Sequence, residues 1–283
     1  MAISIAVLRE RLKSPWPVID CHVHPLDCFG LYDVGTPEED AKRLTTSAER
    51  SGITKMVLFS LHKNVPREPT MDECREANDW ALAMAKAAPD VFLPFCYVNP
   101  MYPEESVEEI DRCVGEGRMC GVKLWVARRA TDQGLDPILE RAVSLDVPVL
   151  QHAWIKTTGN LSGESFPADV ADLATRHPNA KIIMAHLNGV GLRGIEDISG
   201  CENIVVDVSG GDPESCLVEI AVARLGHTRV VFGSDAPIRH FAVMLGKVLG
   251  SDLSDAQKQD ILWNNVARLL PEWSGVSLQE RVS

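Results

Sequence analysis

Val18-Ile19-Asp20-Cys21-His22-Val23-His24-Pro25 is the stretch from which the fold can be read. Val18 and Ile19 read as the start of a short buried strand, and Pro25, with no amide hydrogen to give, stops it just after the second histidine. Side chains two apart on a strand point to one face, so His22 and His24 project together. Two imidazoles side by side at a strand end are costly to bury unless something binds their lone pairs, and a divalent metal ion does so. The plainer alternative is a partly exposed pair at a loop start. What separates the two lies at the ends of the later strands.

Outward from that stretch the chain alternates between two kinds of segment. A short helix is expected over 4–13 and the first strand over 17–22. Thr36-Pro37-Glu38-Glu39 supplies an N-cap, a proline at the first helical position and a capping-box glutamate for a helix running to about Arg50. Gly52 ends it, and 53–59 is the second strand. Thr70-Met71-Asp72-Glu73 opens a second, alanine-rich helix to Ala88. Strands follow at 91–97 (with Pro94 inside, which weakens the pattern), 120–126, 147–152, 180–186, 203–208 and 229–233. Between them lie helices at 103–116, 134–145, 166–176, a short one after a glycine-rich loop beyond His186, and others at 213–225 and 239–249. Ser254-x-x-Gln257 caps one more, carrying Ile261, Leu262, Val266, Leu269 and Leu270.

Strands alternating with helices over about 250 residues predict an α/β protein of one domain spanning 1–283, a (β/α)8 TIM barrel with an extra C-terminal helix. The short, nearly continuous apolar strands fit a parallel sheet covered on both faces. A doubly wound open sheet is the runner-up, but no Gly-x-Gly-x-x-Gly follows the first strand.

Composition narrows the partners. A hydrophobic share of 45% and a charged share of 24% are ordinary for a globular protein, and no apolar run approaches the ~18 residues of a membrane span. The net charge of −12 argues against a nucleic-acid surface, which needs a basic footprint. No signal peptide is read in residues 1–16, and the eight cysteines form no Cys-x-x-Cys pair, so reduced thiols in a cytoplasmic protein are expected.

In such a barrel the site lies at the C-terminal strand ends. Those ends carry His22 and His24 on the first strand, Lys123 on the fourth, His152 on the fifth, His186 on the sixth and Asp235 on the eighth. Converging on one rim, they make a stronger signal than any member alone.

The constellation resembles the amidohydrolase superfamily of metal-dependent hydrolases. Its closer likeness is to the "amidohydrolase 2" branch, which includes aminocarboxymuconate-semialdehyde decarboxylase-like enzymes. The resemblance rests on Ile-Asp-Cys-His-Val-His (19–24), Gly-Val-Lys-Leu (121–124), Val-Leu-Gln-His (149–152), Met-Ala-His-Leu-Asn-Gly (184–189), Phe-Gly-Ser-Asp-Ala-Pro (232–237) and the closing helix at 261–270. Leu-Asn-Gly after His186 departs from the more usual Gly-Gly.

Position by position, the resemblance implies that His22, His24, His152 and Asp235 surround one divalent metal, with His186 polarising the substrate or helping to activate water. Zn2+ is expected first, while imidazole and carboxylate ligands also suit Mn2+, Fe2+ or Co2+. A bound Zn2+ lowers the pKa of its water toward about 7; Asp235 can take that proton and pass it to a leaving group, and His186 can donate to the oxygen that becomes negative. In two-metal members of the superfamily a fourth-strand lysine is carboxylated and bridges the ions. One ion is favoured here, with Lys123 as an ammonium facing a carboxylate. A homodimer is implied by the likeness alone.

Weaker candidates surround the rim. His62 closes the second strand, His240 follows the eighth, and Trp125 and Trp154 can wall an apolar or aromatic part of a ligand. His177 and His227 lie at helix-to-strand turns on the opposite face and are expected to be solvated. The loops after the strands hold Lys63, Arg67, Arg128, Arg129, Lys156, Arg193 and Arg239 against fewer acids (Glu68, Asp132 and Glu164 among them), a bias that favours a small anionic substrate. The reading is therefore a metal-dependent hydrolase of a lactone, ester or amide. Its alternative is non-oxidative decarboxylation of an unsaturated or aromatic carboxylic acid. A second alternative, a non-catalytic ligand-binding barrel, predicts a missing ligand at some strand end, and none is missing.

Overall fold

The structure is a computed structural model that describes residues 4, 7, 10, 13–30, 33–211 and 214–279. Most of the helix expected over 4–13 lies outside the described residues. Among the described residues nine ladder segments run in chain order: β1 (Ile19–Val23), β2 (Lys55–Leu58), β3 (Phe92–Pro94), β4 (Cys96–Tyr97), β5 (Val122–Leu124), β6 (Val149–Gln151), β7 (Ile182–Met184), β8 (Ile204–Asp207) and β9 (Val230–Val231). All pair in parallel with their sequential neighbours, β1 to β3 in one sheet and β4 to β9 in another.

The two sheets are one barrel. β3 and β4 form a single strand interrupted only at Phe95, whose amide donates to Leu58 O at 2.9 Å while Cys96 N donates to Gly121 O at 2.8 Å. Pro94 is tolerated because the amide of its neighbour makes the bond to β2 and its own carbonyl accepts from Cys120 N at 2.7 Å. At the other seam Cys21 N donates to Phe232 O at 2.9 Å, Asp235 N to His22 O at 2.8 Å and His24 N to Ala236 O at 2.7 Å. A bridge pairs Val23 with Ala236. The open doubly wound sheet is excluded by this closure.

Helices α1 (Pro37–Ser51), α2 (Met71–Ala87), α3 (Pro103–Ile110, continued by a π-helical segment Asp111–Glu116), α4 (Asp136–Ser144), α5 (Pro167–Arg176), α6 (Leu187–Ile198), α7 (Leu217–Leu225) and α8 (Phe241–Leu249) separate the strands. The capping boxes at Thr36 and Glu39 and at Thr70 and Glu73 are both formed. So is that of Ser254 and Gln257, which opens α9 (Asp255–Gln259), leading through a π-helical turn Asp260–Asn264 into α10 (Asn265–Leu269). The loop expected after His186 is absent: α6 begins at Leu187, and Gly191 kinks it with φ 58°.

Alternate strand residues face opposite ways. Met56, Leu58, Val122, Leu124, Val149, Ile182, Ile204 and Val206 belong to the apolar layer shared with the helices. Val57, Phe59, Leu93, Phe95, Leu150, Ile183, Val205 and Val231 form a second cluster, the barrel interior, which Trp263 and Val266 of the closing segment join. Lys123 lies between Val122 and Leu124 and so points inward. All eight cysteines are unpaired, six of them buried.

Candidate metal centre

The barrel mouth brings five of the six strand-end residues into one chain of neighbours. His22 Nε2 lies 3.6 Å and His24 Nε2 3.4 Å from Asp235 Oδ1. His22 and His186 rings are 4.6 Å apart, and His186 and His152 rings 4.9 Å. His186 and Asp235 both hold left-handed backbone, φ 78° and 64°, a conformation that non-glycine residues keep only where their surroundings impose it. Asp20 supplies part of that surrounding: its Oδ1 accepts from the amides of His22 at 3.1 Å and Ser234 at 2.9 Å, tying the first strand to the segment that carries Asp235.

Hydrogen bonds on the outer ring nitrogens fix the tautomers. His22 Nδ1 donates to Asp207 Oδ2 at 2.8 Å and His24 Nδ1 to the carbonyl of Phe59 at 3.1 Å, so both present an Nε2 lone pair inward. His152 is turned the other way: Nε2 donates to Glu164 Oε1 at 2.9 Å and Nδ1 faces the site. Ser209 donates its hydroxyl proton to Asp207 Oδ1, and its oxygen therefore accepts from His186 Nδ1 at 2.7 Å. That leaves His186 Nε2 and His152 Nδ1, 3.1 Å apart, as two facing acceptors.

Burial holds His22 and His186 well below the usual imidazole range, reinforced by Lys123 at His22 and by the His22 and His152 rings at His186; His24 and His152 are also lowered, chiefly by burial. The lone pairs are therefore available at neutral pH. Burial alone would raise the Glu164 carboxyl, but hydrogen bonds from His152 and Lys156 outweigh it and hold the group at about 2. Burial likewise pushes the Lys123 ammonium down to about 7, against the attraction of Asp207 and Asp235. Lys123 Nζ sits 4.6 Å over the Phe59 ring, with no hydrogen bond or ion pair to it among the described residues.

Four inward imidazole lone pairs and one carboxylate, all on buried residues, fit a divalent cation held by three of the imidazoles and the carboxylate. His22, His24 and Asp235 offer ligand atoms within 4.8 Å of one another. Two other groupings of that kind are satisfied without an ion. Asp207 is occupied by His22 and Ser209, and Glu109, near Cys96 and Cys113, accepts from Arg112 at 2.8 and 2.7 Å and from Asn78 at 2.7 Å.

The cavity above these residues measures about 220 Å³. Its apolar walls include Phe29, Leu61, Trp125, Trp154, Leu161 and Ile238; Lys123, Lys156 and Arg239 add cations. Trp154 stacks over His152, interplanar angle 18°. Gly189 makes room for it, since a Cβ there would lie 2.7 Å from the indole. This gives the glycine of Leu-Asn-Gly a steric basis.

Other expected contacts fall elsewhere. His62 Nε2 turns to Glu76 at 3.2 Å, so its neighbour Leu61 reaches the cavity in its place. Arg128 lines a separate polar depression and faces Asp132 at 3.7 Å. His240 caps α8 by accepting from Ala242 N at 3.2 Å and borders a neighbouring cavity of about 450 Å³. The basic rim is largely neutralised from within: Arg129 pairs with Asp169, Lys156 with Glu164 and Arg193 with Asp197. His177, expected to be solvated, lies 2.8 Å from Asp136, and His227 lies 3.0 Å from Asp260.

Asp207, Ser209 and Glu164 were not singled out by the sequence reading as site residues. Asp207 closes the seventh strand and was open to the same strand-end rule that picks out the others. Glu164 lies twelve residues beyond His152, in a loop whose course the sequence does not reveal.

A metal-ready constellation at the C-terminal mouth of a parallel barrel places the chain in the amidohydrolase family, whose sequence pattern it matches over residues 19–271. The chain belongs to that family and is an enzyme of the amidohydrolase superfamily. No curated protein sequence matches it. Among solved structures it is similar to 2,6-dihydroxybenzoate decarboxylase from Rhizobium, at 18% identity, TM-score 0.70, with 89% of this chain and 98% of that one covered. It is similar to a dihydroxybenzoic acid decarboxylase from Polaromonas sp. JS666 with bound manganese and the inhibitor 2-nitroresorcinol, at 19% identity, TM-score 0.67, covering 89% and 96%. It is also similar to 4-oxalomesaconate hydratase from Rhodopseudomonas palustris, at 15% identity, TM-score 0.66, covering 91% and 97%. Among the described residues no helix is long and apolar enough to cross a membrane.

Proposed function

We propose that this barrel, acting as one domain, catalyses the metal-dependent, non-oxidative decarboxylation of a small unsaturated or aromatic carboxylic acid. The observation that carries the reading is the facing pair His152 Nδ1 and His186 Nε2 beside His22, His24 and Asp235, under a cavity walled by flat apolar side chains. Likeness to two decarboxylases supports decarboxylation over the hydrolysis that the strand-end motifs alone suggested. A non-catalytic barrel gives way for the same reasons.

In this reading His22, His24, His152 and Asp235 hold one divalent ion. Mn2+ stands beside Zn2+ as a candidate, since the Polaromonas structure contains manganese. When bound, the ion supplies Lewis-acid polarisation of the substrate's oxygen atoms. Lys123, buried and free of ion pairs among the described residues, faces the substrate's negative charge. Trp154 and Trp125 confine its planar part and exclude water. His186, held through Nδ1 by Ser209 and neutral before substrate binds, takes a proton from solvent onto Nε2 as the anionic substrate enters and passes it to the carbon that bears the carboxylate. The bond from that carbon to the carboxylate then breaks, its electron pair returns to the unsaturated system, and CO2 leaves. Solvent restores the proton.

The test is a screen of hydroxybenzoates and unsaturated dicarboxylates with Mn2+- or Zn2+-loaded protein, read by CO2 release, beside lactones and esters followed by acid release. CO2 from any acid, abolished by His186→Ala, supports the proposal. Acid release from lactones or esters without CO2 from any acid would return the chain to hydrolysis.

A further inference from the structure

The segment between β6 and α5 does more than wall the cavity. It folds back on itself: Trp154 N donates to Ser165 O at 3.0 Å, Lys156 N to Asn160 Oδ1 at 2.9 Å, and Asn160 Nδ2 to Trp154 O at 2.6 Å. The fold-back delivers Glu164 to His152. Glu164 is only 1% exposed, and its two oxygens are fully used. Oε1 accepts from His152 Nε2 at 2.9 Å, Oε2 from Leu161 N at 3.0 Å, and Lys156 Nζ donates to both at 2.7 Å.

A carboxylate needed only to knit this loop together would be satisfied by Lys156 and Leu161 at the surface. Burying it against an imidazole carries a desolvation cost that a loop tie alone does not require. Its contact with His152 has a definite consequence, because the nitrogen that donates to Glu164 cannot face the site. His22 and His24 have their outer nitrogens held by barrel-strand groups, Asp207 and the Phe59 carbonyl. Among the three histidines read as metal ligands, His152 alone is held by a side chain of the long segment between β6 and α5.

We propose that Glu164 is a positioning residue: it fixes which ring nitrogen of His152 faces the site, and so makes metal binding depend on the folded-back segment 153–166. This rests on the reading of His152 as a metal ligand.

The experiment is titration of the metal-free full-length protein with Mn2+, followed by the loss of the free-ion paramagnetic resonance signal, for wild type, Glu164→Ala, Glu164→Gln and Lys156→Met. Glu164→Ala is expected to weaken Mn2+ binding about 10- to 100-fold. Glu164→Gln keeps an acceptor for Nε2–H and should lose less. Lys156→Met removes one tie of the segment, leaving its backbone and Asn160 ties and the carboxylate on the imidazole, and should stay within about threefold of wild type, well short of an outer-sphere loss. In the Zn2+-loaded protein, 15N spectra of His152 should show Nε2 protonated in wild type and Lys156→Met, and a mixture in Glu164→Ala. Equal losses in Lys156→Met and Glu164→Ala would mean that the carboxylate acts only through the loop, and the proposal fails. Unchanged affinity in a folded Glu164→Gln and Glu164→Ala overturns it while the metal site stands. Wild type that takes up no ion overturns both.

Discussion

His152 Nδ1 lies 3.1 Å from His186 Nε2, and the hydrogen bonds on their far sides leave neither nitrogen a proton to give. Glu164 accepts the N–H of one ring and Ser209 that of the other. Two lone pairs in a dry site repel unless a cation or an added proton lies against them. Burial holds both imidazoles below their ordinary range, which disfavours the proton and leaves the cation. The same reasoning covers His22 and His24, whose Nε2 atoms approach a single oxygen of Asp235.

Protein prepared without chelator should therefore carry about one equivalent of divalent metal. Exhaustive chelation should lower the unfolding midpoint reversibly, because an ion that binds only the folded state, present at about 100 times its Kd, adds about 2.7 kcal/mol of stability. His24→Ala should weaken metal binding more than about a hundredfold, beyond the range of an outer-sphere change, while circular dichroism stays that of the barrel. Elemental analysis at wild-type metal content in that variant would remove His24 from the site.

Asp207 reaches two site histidines by different routes, His22 directly at 2.8 Å and His186 through Ser209. Asp207→Asn puts an amide where His22 Nδ1 meets one carboxylate oxygen and the Ser209 hydroxyl, with the amides of Ser209 and His186, meets the other, so one side must lose its acceptor. Metal affinity or turnover should fall about 10- to 100-fold with the fold intact. Ser209→Ala should lower turnover and spare metal binding, since it touches only the His186 branch. If both variants behave alike in a metal titration, the two branches are not separate.

The strand-end residues were legible because their signal is local. His22 and His24 are two apart on one strand, and His152, His186 and Asp235 each end an apolar run. What holds them was harder to see. Asp207 follows Val-Val as an acid at a loop start does in many proteins, and only the closed barrel shows it beside a histidine 185 positions away. The charge of the rim was misleading for the converse reason. Arg129, Lys156 and Arg193 look unopposed in sequence, yet each finds an acid once the loops fold. The start of α6 directly after His186 was missed because its glycines suggest a loop, whereas Gly189 serves close packing against Trp154.

Gly189→Ala should separate substrate binding from metal binding. The new methyl would sit 2.7 Å from the Trp154 indole and push it toward the cavity. Overpacking of this kind costs about 1–3 kcal/mol of stability. KM for a planar acid should rise on the order of tenfold, equivalent to about 1.4 kcal/mol, with metal content unchanged. An unaltered KM together with an unaltered tryptophan emission spectrum would show that the indole does not bound the substrate.

If Lys123 faces the substrate as proposed, it sets function and stability in opposition. Its ammonium is buried beneath the cavity and pushed down to about 7 by that burial, while a lysine in the unfolded chain titrates near 10.4. Between those values the unfolded metal-free chain binds a proton that the folded one does not, so this group makes stability rise with pH across that window. Below it both states are protonated and the cost of the buried charge is fully present. Lys123→Met removes the charge and keeps most of the volume, and should stabilise the metal-free protein by up to about 4 kcal/mol below pH 7. That gain should shrink steadily toward pH 10 and be accompanied by loss of turnover on the anionic substrate. Urea denaturation of both proteins at a series of pH values measures the difference directly. A gain that does not change with pH would mean that packing, not the buried ammonium, distinguishes the two.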